Sequence, residues 1–518
     1  MKLKKSIFAI LLAVVMLALC GLAYAQNSQA APTKFPTGGI LLWCSVFTGL
    51  LVILWAIHAR EGKKPLKKKE SSQWYWVLVI MLAAFAARVA LSFIFYGHKT
   101  DINCFVVWGS RVAQNGPAHF YENWCDYPPG YMLVLGGMSK IYELIGNGNA
   151  QVNALLIKLP CIIADLVCAY IVYRLARKTM RESASVALCA LVAFTPVMAY
   201  VSSAWGQIDQ ALTLALIIPI LLLYKRRPVL AGIVYGLGVV IKPQALMCGP
   251  LFAAAYLVYV ISGNPYVQAD LKRGTARLIR AKKDTRGLRL LETVLAVVLA
   301  FVVIGLIAMP FRGSEEGFWQ LLFKGKPHEF WLIKKYYTTA TSYEYASVNA
   351  YNFWALIGAN WKKVDVPFAG LTYGKWGTIF MAVSVILGIG LYIVAVNRHK
   401  QSKGALPLTM AFMLASIFMF GHYMHERYIF PALMLLMLAY IFYNDWRILV
   451  CYVAIATTML VNCAAAFYYS KLFEYGLYWD ERLIFWCSLA NMIVFCFTAY
   501  TTFDLVIRNK PMKAFNGR

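Results

Sequence analysis

Five polar clusters interrupt an otherwise apolar chain, and their residue types suit transfer chemistry. They are Asp101-Ile102-Asn103-Cys104-Phe105, Asp126-Tyr127-Pro128-Pro129-Gly130-Tyr131, Trp205-Gly206-Gln207-Ile208-Asp209, Lys242-Pro243-Gln244 and His422-Tyr423-Met424-His425-Glu426-Arg427-Tyr428. A carboxylate facing a cleft can take the proton of an attacking hydroxyl, which is worth about 10²–10⁴-fold in rate. Lysine offers a phosphate a point charge, and arginine offers it a planar, two-pronged partner. Hydropathy and loop charge together place all five clusters on the membrane face away from the cytoplasm. Scattered loop charges have no reason to sort that way, so the convergence itself points to a site.

Each cluster also has a plainer reading. Asp101 alone reads first as a solvated carboxylate just beyond a helix end. The prolines and glycine after Asp126 set a rigid bend, with Asp126 free to orient an acceptor. Lys242 closes a short helix stopped by Pro243; it either snorkels or grips a phosphate headgroup, with Arg427 as second cation and Gln244 nearby. Gln207 and Asp209 either hydrogen-bond a sugar or close the turn between two helices. His422 and His425 are expected on one helical face with Glu426 beside them, which is not the His-Glu-x-x-His spacing of a zinc hydrolase, so no metal is expected. A later aromatic stretch with Tyr345, Asn349, Tyr351, Asn352, Phe353 and Trp354 is expected to contact sugar rings.

Membrane-crossing helices must position these residues. The 518-residue chain is 61% hydrophobic, only 14% charged and has a mean hydropathy of +0.61, where a soluble domain carries far more charge. Apolar runs of about 20 residues predict spanning helices rather than a barrel. The expected fold is all-α and polytopic, with about 13–14 crossings and two long external loops carrying interfacial helices. The net charge of +27 lies in short loops beside apolar segments, marking the cytoplasmic side rather than a nucleic-acid surface. Of twelve cysteines, most fall in apolar runs; Cys104 and Cys125 share an external loop, where a disulfide is one open alternative. Residues 1–25 read as a signal peptide or signal anchor ending in Ala23-Tyr24-Ala25. Residues 26–70 add one crossing and a basic loop, and 71–518 hold the main domain. The export-like start and the lack of an Asn-x-Ser/Thr sequon favour a bacterial plasma membrane over an endoplasmic reticulum.

The order of the clusters resembles the GT-C superfamily of polyprenyl-phosphate-sugar-dependent glycosyltransferases. It is most similar to the dolichyl-phosphate-glucose and -mannose transferases, the mannosyltransferases of glycolipid-anchor assembly, and their prokaryotic relatives. The resemblance runs from about Trp74 to Arg518, with Asp-Tyr-Pro-Pro and His-Glu-Arg its most specific pieces. It implies an inverting, metal-independent hexose transfer, of mannose or glucose, on the extracytoplasmic face, with a lipid-linked sugar as donor and no cofactor. Asp101 stands where the family keeps its catalytic base, and Asp126 at the acid before the paired prolines. Lys242 falls near the carrier phosphate, while His425 and Glu426 match the donor-side His-Glu pair. Arg427 stands where the glucosyltransferases carry lysine, and Pro243 separates Lys242 from Gln244; both departures bear on donor identity. No Asp-x-Asp occurs in the first loop, which argues against the metal-using oligosaccharyltransferase branch. The acceptor is a glycolipid, glycan or protein, and a protein O-mannosyltransferase is one rival. A transporter or flippase is another; it would use the deep charges Arg88, Lys158 and Asp165, but no internal repeat supports it.

Overall fold

The computed structural model describes residues 47, 73–146, 148–265, 285–311, 331–398, 403–473, 480–508 and 512. The expected signal segment at 1–25 and the extra crossing within 26–70 lie outside these residues, apart from Phe47, which is buried against Tyr452.

Inside a bilayer a segment must satisfy its own backbone, which turns apolar runs into helices. Among the described residues seven helices are long and apolar enough to cross a membrane, and a bent pair, Glu182–Ala193 with Pro196–Trp205, makes one more. Pro196 has no N–H to continue the helical ladder, and the pair bends there by 44°. Four shorter apolar helices, Asp209–Tyr224, Pro228–Ile241, Ala405–Phe420 and Phe430–Tyr443, complete the bundle. Each of these elements coincides with a crossing read from hydropathy. The protein is an all-α polytopic membrane protein.

Ala405–Phe420 and Phe430–Tyr443 are buried along almost their whole length, so they form the centre of the bundle rather than its lipid face. The Arg286–Ala308 helix has the opposite character, with Phe301 and Leu306 among many exposed apolar side chains. Two helices, Lys99–Asn115 and Pro129–Ile145, occupy the first long loop. The expected amphipathic piece is the second of them, which leaves Leu144 and Ile145 exposed. The second long loop holds the Trp331–Thr341 helix. Strand structure is slight among the described residues: Ser347–Val348 pairs in parallel with Met424–His425, and Pro367–Phe368 pairs antiparallel with Leu371–Thr372.

The deep charges pack instead of lining a path. Arg88 Nε lies 3.0 Å from Asp165 Oδ2, and its Nη1 donates to Ala193 O at 2.7 Å, the last residue before the bend. Ser202, within the π-helix Tyr200–Trp205, donates to the same Asp165 oxygen at 2.7 Å. Lys158 Nζ donates to Phe95 O at 2.7 Å, closing the end of the Trp74–Ile94 helix. Removing one member of a buried pair leaves an uncompensated charge. Arg88→Met should therefore cost about 3–5 kcal/mol, read as a lowered Tm in detergent, and Arg88→Met/Asp165→Leu should recover most of it. An unchanged Tm in the single variant would remove the pair's structural role.

Candidate active site

Local backbone breaks bring the clusters together. A Cβ on Gly97 (φ +130°) would sit 2.9 Å from Trp205 O, so the chain leaving the Trp74–Ile94 helix passes directly against Trp205. His98 N then donates to that carbonyl at 3.0 Å. The Lys99–Asn115 helix starts immediately, with Asp101 in its first turn, where the helix dipole favours an anion. The π-helix Tyr200–Trp205 ends at Gly206 (φ +92°), which turns the chain into Gln207. Pro243 holds Lys242 extended (φ −152°, ψ 132°) at the end of the Pro228–Ile241 helix.

Asp101, Asp126, Lys242, Gln244, His422, His425 and Arg427 line one cavity of about 440 Å³, with Leu246, Met247 and Met381 forming an apolar part of its wall. Small-ligand sites span roughly 300–1,000 Å³. Residues from the first loop, from a helix break in the middle of the chain and from the 422–428 turn thus face a common space.

Asp101 Oδ2 accepts from Trp205 Nε1 at 2.6 Å and from Gln207 Nε2 at 2.5 Å. His98 Nδ1 stands 3.7 Å from the same oxygen, and its ring stacks on Trp205 at 5.0 Å. Burial pushes the Asp101 carboxyl up, but Arg427, His98 and the two hydrogen bonds outweigh it and hold the pKa below the ordinary value. Asp101 is therefore an anion at neutral pH. Asp126 is the contrast: burial, with some repulsion from Asp101, pushes its pKa up against its own backbone hydrogen bond, Lys335 and Arg427. Asp126 Oδ1 and both polar atoms of the Gln244 side chain are buried without a hydrogen-bond partner among the described residues.

Lys242 and Arg427 are the lysine and arginine in the cavity lining. Asp209, fully buried beneath them, lies 2.6 Å from Lys242 Nζ and 3.7 Å from Arg427 Nε. Glu426 accepts from Arg427 Nη1. Burial lowers the Lys242 pKa, Asp209 opposes that, and Arg427 adds to it. Asp209 is thus the counter-ion that lets two cations stand side by side. Burial drops His422 to about 4 and, with Arg427 adding to it, holds His425 well below the ordinary histidine value. Both imidazoles are neutral at pH 7, so they can hydrogen-bond a ligand but bring no charge to a phosphate.

Several expectations need correction. Gln207, Asp209 and Glu426 do not line the cavity; they form a second layer that holds Asp101, Lys242 and Arg427. His422 and His425 do not share a helical face, because Met424–His425 is extended and paired with Ser347–Val348, and Tyr423 has φ +62°. Asn349, Asn352 and Trp354 do not line the cavity, although Asn349 bridges to the lining residue His425 through the backbone. Asn349 Oδ1 accepts from Trp361 Nε1 at 2.8 Å and from Asn360 Nδ2 at 3.2 Å. Asn352 caps a short helix and donates to Phe418 O at 3.0 Å. Trp354 is fully buried, with Nε1 on Phe420 O. Their polar atoms are committed to neighbouring side chains, to the cap of the short helix and to carbonyls at the end of the Ala405–Phe420 helix. Cys104 and Cys125 are free thiols, with Cys125 buried against Tyr127 and Met132. Sequence reasoning did not single out Trp205 as a site residue, although it opens the third cluster; it contacts Asp101 and His98, and Arg427 stands 5.4 Å over its ring.

Among the described residues no group of three or more His, Cys, Asp or Glu is placed to hold a metal ion. Residues 126–272 match the family model described as dolichyl-phosphate-mannose-protein mannosyltransferase, and the match supports a GT-C glycosyltransferase. It takes in Asp126, Asp209, Lys242 and Gln244 and leaves out Asp101 and the 422–428 turn. No curated protein matches the chain.

Proposed function

We propose that this protein is an inverting membrane hexosyltransferase that moves one sugar, mannose before glucose, from a polyprenyl monophosphate to an acceptor hydroxyl on the extracytoplasmic face. The observation that carries the reading is that Asp101 lines the same cavity as Lys242 and Arg427. The acceptor oxygen attacks the anomeric carbon as Asp101 takes its proton; the bond from that carbon to the phosphate oxygen breaks, and the lipid phosphate leaves with the electron pair. Lys242 and Arg427, already in place, stabilise the charge gathering on that phosphate, the kind of preorganised electrostatics that often dominates catalysis. The donor needs no contribution from a metal in this scheme. Mannose comes first because the matching family model is described by that sugar.

The sidedness rests on one helix. Asp209 opens the Asp209–Tyr224 helix and Lys225-Arg226-Arg227 follow its end, about 24 Å away at 1.5 Å per residue. Basic loops stay cytoplasmic, which leaves the cavity on the other face, where a lipid-borne sugar is the natural activated donor.

The direct test is release of labelled mannose from polyprenyl-phosphate mannose by the purified chain in proteoliposomes. The absence of both transfer and slow hydrolysis, with mannose and with glucose donors alike, would sink the proposal. A pH profile adds detail. As pH falls, Asp126, with its raised pKa, protonates before Asp101. If the Asp126 anion takes part in transfer, the acid limb of kcat/KM should lie above the ordinary aspartate value, and Asp126→Asn should move it to lower pH. An acid limb unmoved by that variant would mean that Asp126 charge has no part in transfer.

A further inference from the structure

We infer that Trp124 is a stacking platform for the sugar ring of a carbohydrate acceptor, which makes the acceptor a glycan or glycolipid rather than a peptide. The inference rests on the transferase reading for the word acceptor, though not for the binding itself. Trp124 is 67% exposed, yet it lines the cavity that contains Asp101 and Asp126, and it stands two residues before Asp126. Interfacial tryptophans of membrane proteins are also exposed, but they face lipid headgroups; this one borders the space that holds both carboxylates.

Its support is rigid. Trp108, 3% exposed, lies beneath it with ring centroids 5.6 Å apart, and Tyr127 sits 5.8 Å from Trp108. The Tyr127 hydroxyl donates to Gln207 Oε1 at 3.1 Å, and Gln207 Nε2 donates to Asp101. An aromatic floor therefore runs from the outer edge of the cavity to the hydrogen-bond frame of Asp101. A pyranose has one face of C–H groups that packs on the electron-rich face of an indole, while its hydroxyls point outward at the ring edge. Asp126 Oδ1, buried and without a partner among the described residues, is an acceptor for such a hydroxyl.

The test uses the full chain in lipid nanodiscs, with no donor present. Methyl α-mannopyranoside, methyl β-glucopyranoside and a serine/threonine hexapeptide are titrated by saturation-transfer NMR against wild type, Trp124→Leu and Trp124→Phe. Leucine keeps an apolar contact with Trp108 but has no ring face, and phenylalanine keeps a ring. The expected result is a glycoside Kd raised about ten-fold in Trp124→Leu and less than about three-fold in Trp124→Phe, with no Trp124-dependent peptide binding. Equal glycoside binding by wild type and Trp124→Leu, no glycoside binding at all, or peptide binding that needs Trp124 would each overturn the inference. Because no donor is used, this outcome is independent of whether the chain transfers mannose.

Discussion

Replacing Asp101 with asparagine is expected to lower sugar transfer about 10²–10⁴-fold, the range for loss of a positioned general base. Asparagine matches the carboxylate in size, and its amide oxygen can still accept from Trp205 Nε1 and Gln207 Nε2, so the frame around it survives. What disappears is the ability to take a proton. The two bonds and the 3.7 Å contact with His98 all fall on Oδ2, which leaves Oδ1 for the acceptor hydroxyl. The low pKa makes Asp101 a weak base but guarantees that it is ionised, and the same neighbours that lower it fix its direction. The measurement is single-turnover transfer from labelled polyprenyl-phosphate mannose with enzyme in saturating excess over donor, so that neither binding nor product release limits the rate. Turnover within about two-fold of wild type would remove Asp101 from the chemistry.

The second large effect is expected at Lys242. Lys242→Met should cut transfer about 10²–10³-fold, comparable to losing one preorganised donor at a developing oxyanion. It should also destabilise the fold, by about 3–5 kcal/mol, because Asp209 is fully buried and would keep only the more distant Arg427. A double-mutant cycle separates the two roles. Lys242→Met/Asp209→Asn should regain much of the lost Tm while transfer stays low, since the phosphate still lacks its cation. Recovery of transfer in the double variant would show that the lysine serves only to neutralise Asp209.

Much of this site was legible before any coordinates. Asp101, Asp126, Lys242, Gln244, His422, His425 and Arg427 were singled out from polar clusters between apolar runs, and all of them line one cavity. Charge is costly at membrane depth, so a polar cluster at a helix end stands out against its surroundings. The failures fall where residue type does not report burial. Asn349, Asn352 and Trp354 have the composition of a sugar-binding loop, but their polar atoms are taken by the Asn360 side chain and by carbonyls at the end of the Ala405–Phe420 helix. Trp124, with a similar residue type, is the one left open at the cavity. The 422–428 turn was read with helical spacing, and a strand partner far away in sequence, Ser347–Val348, makes it extended instead.

By itself the sequence determined that the chain crosses a membrane, where the described crossings lie, and which polar groups collect at helix ends, because hydrophobic length and loop charge are local properties. Only the tertiary structure decided which of those groups meet the cavity and which stand behind as counter-ions. Asp209 and Gln207 lie within the same short cluster as many plausible ligands, yet one is committed to Lys242 and the other to Asp101. That division depends on contacts between helices far apart in the chain, where a few ångströms separate a group that touches substrate from one that holds its neighbour in place.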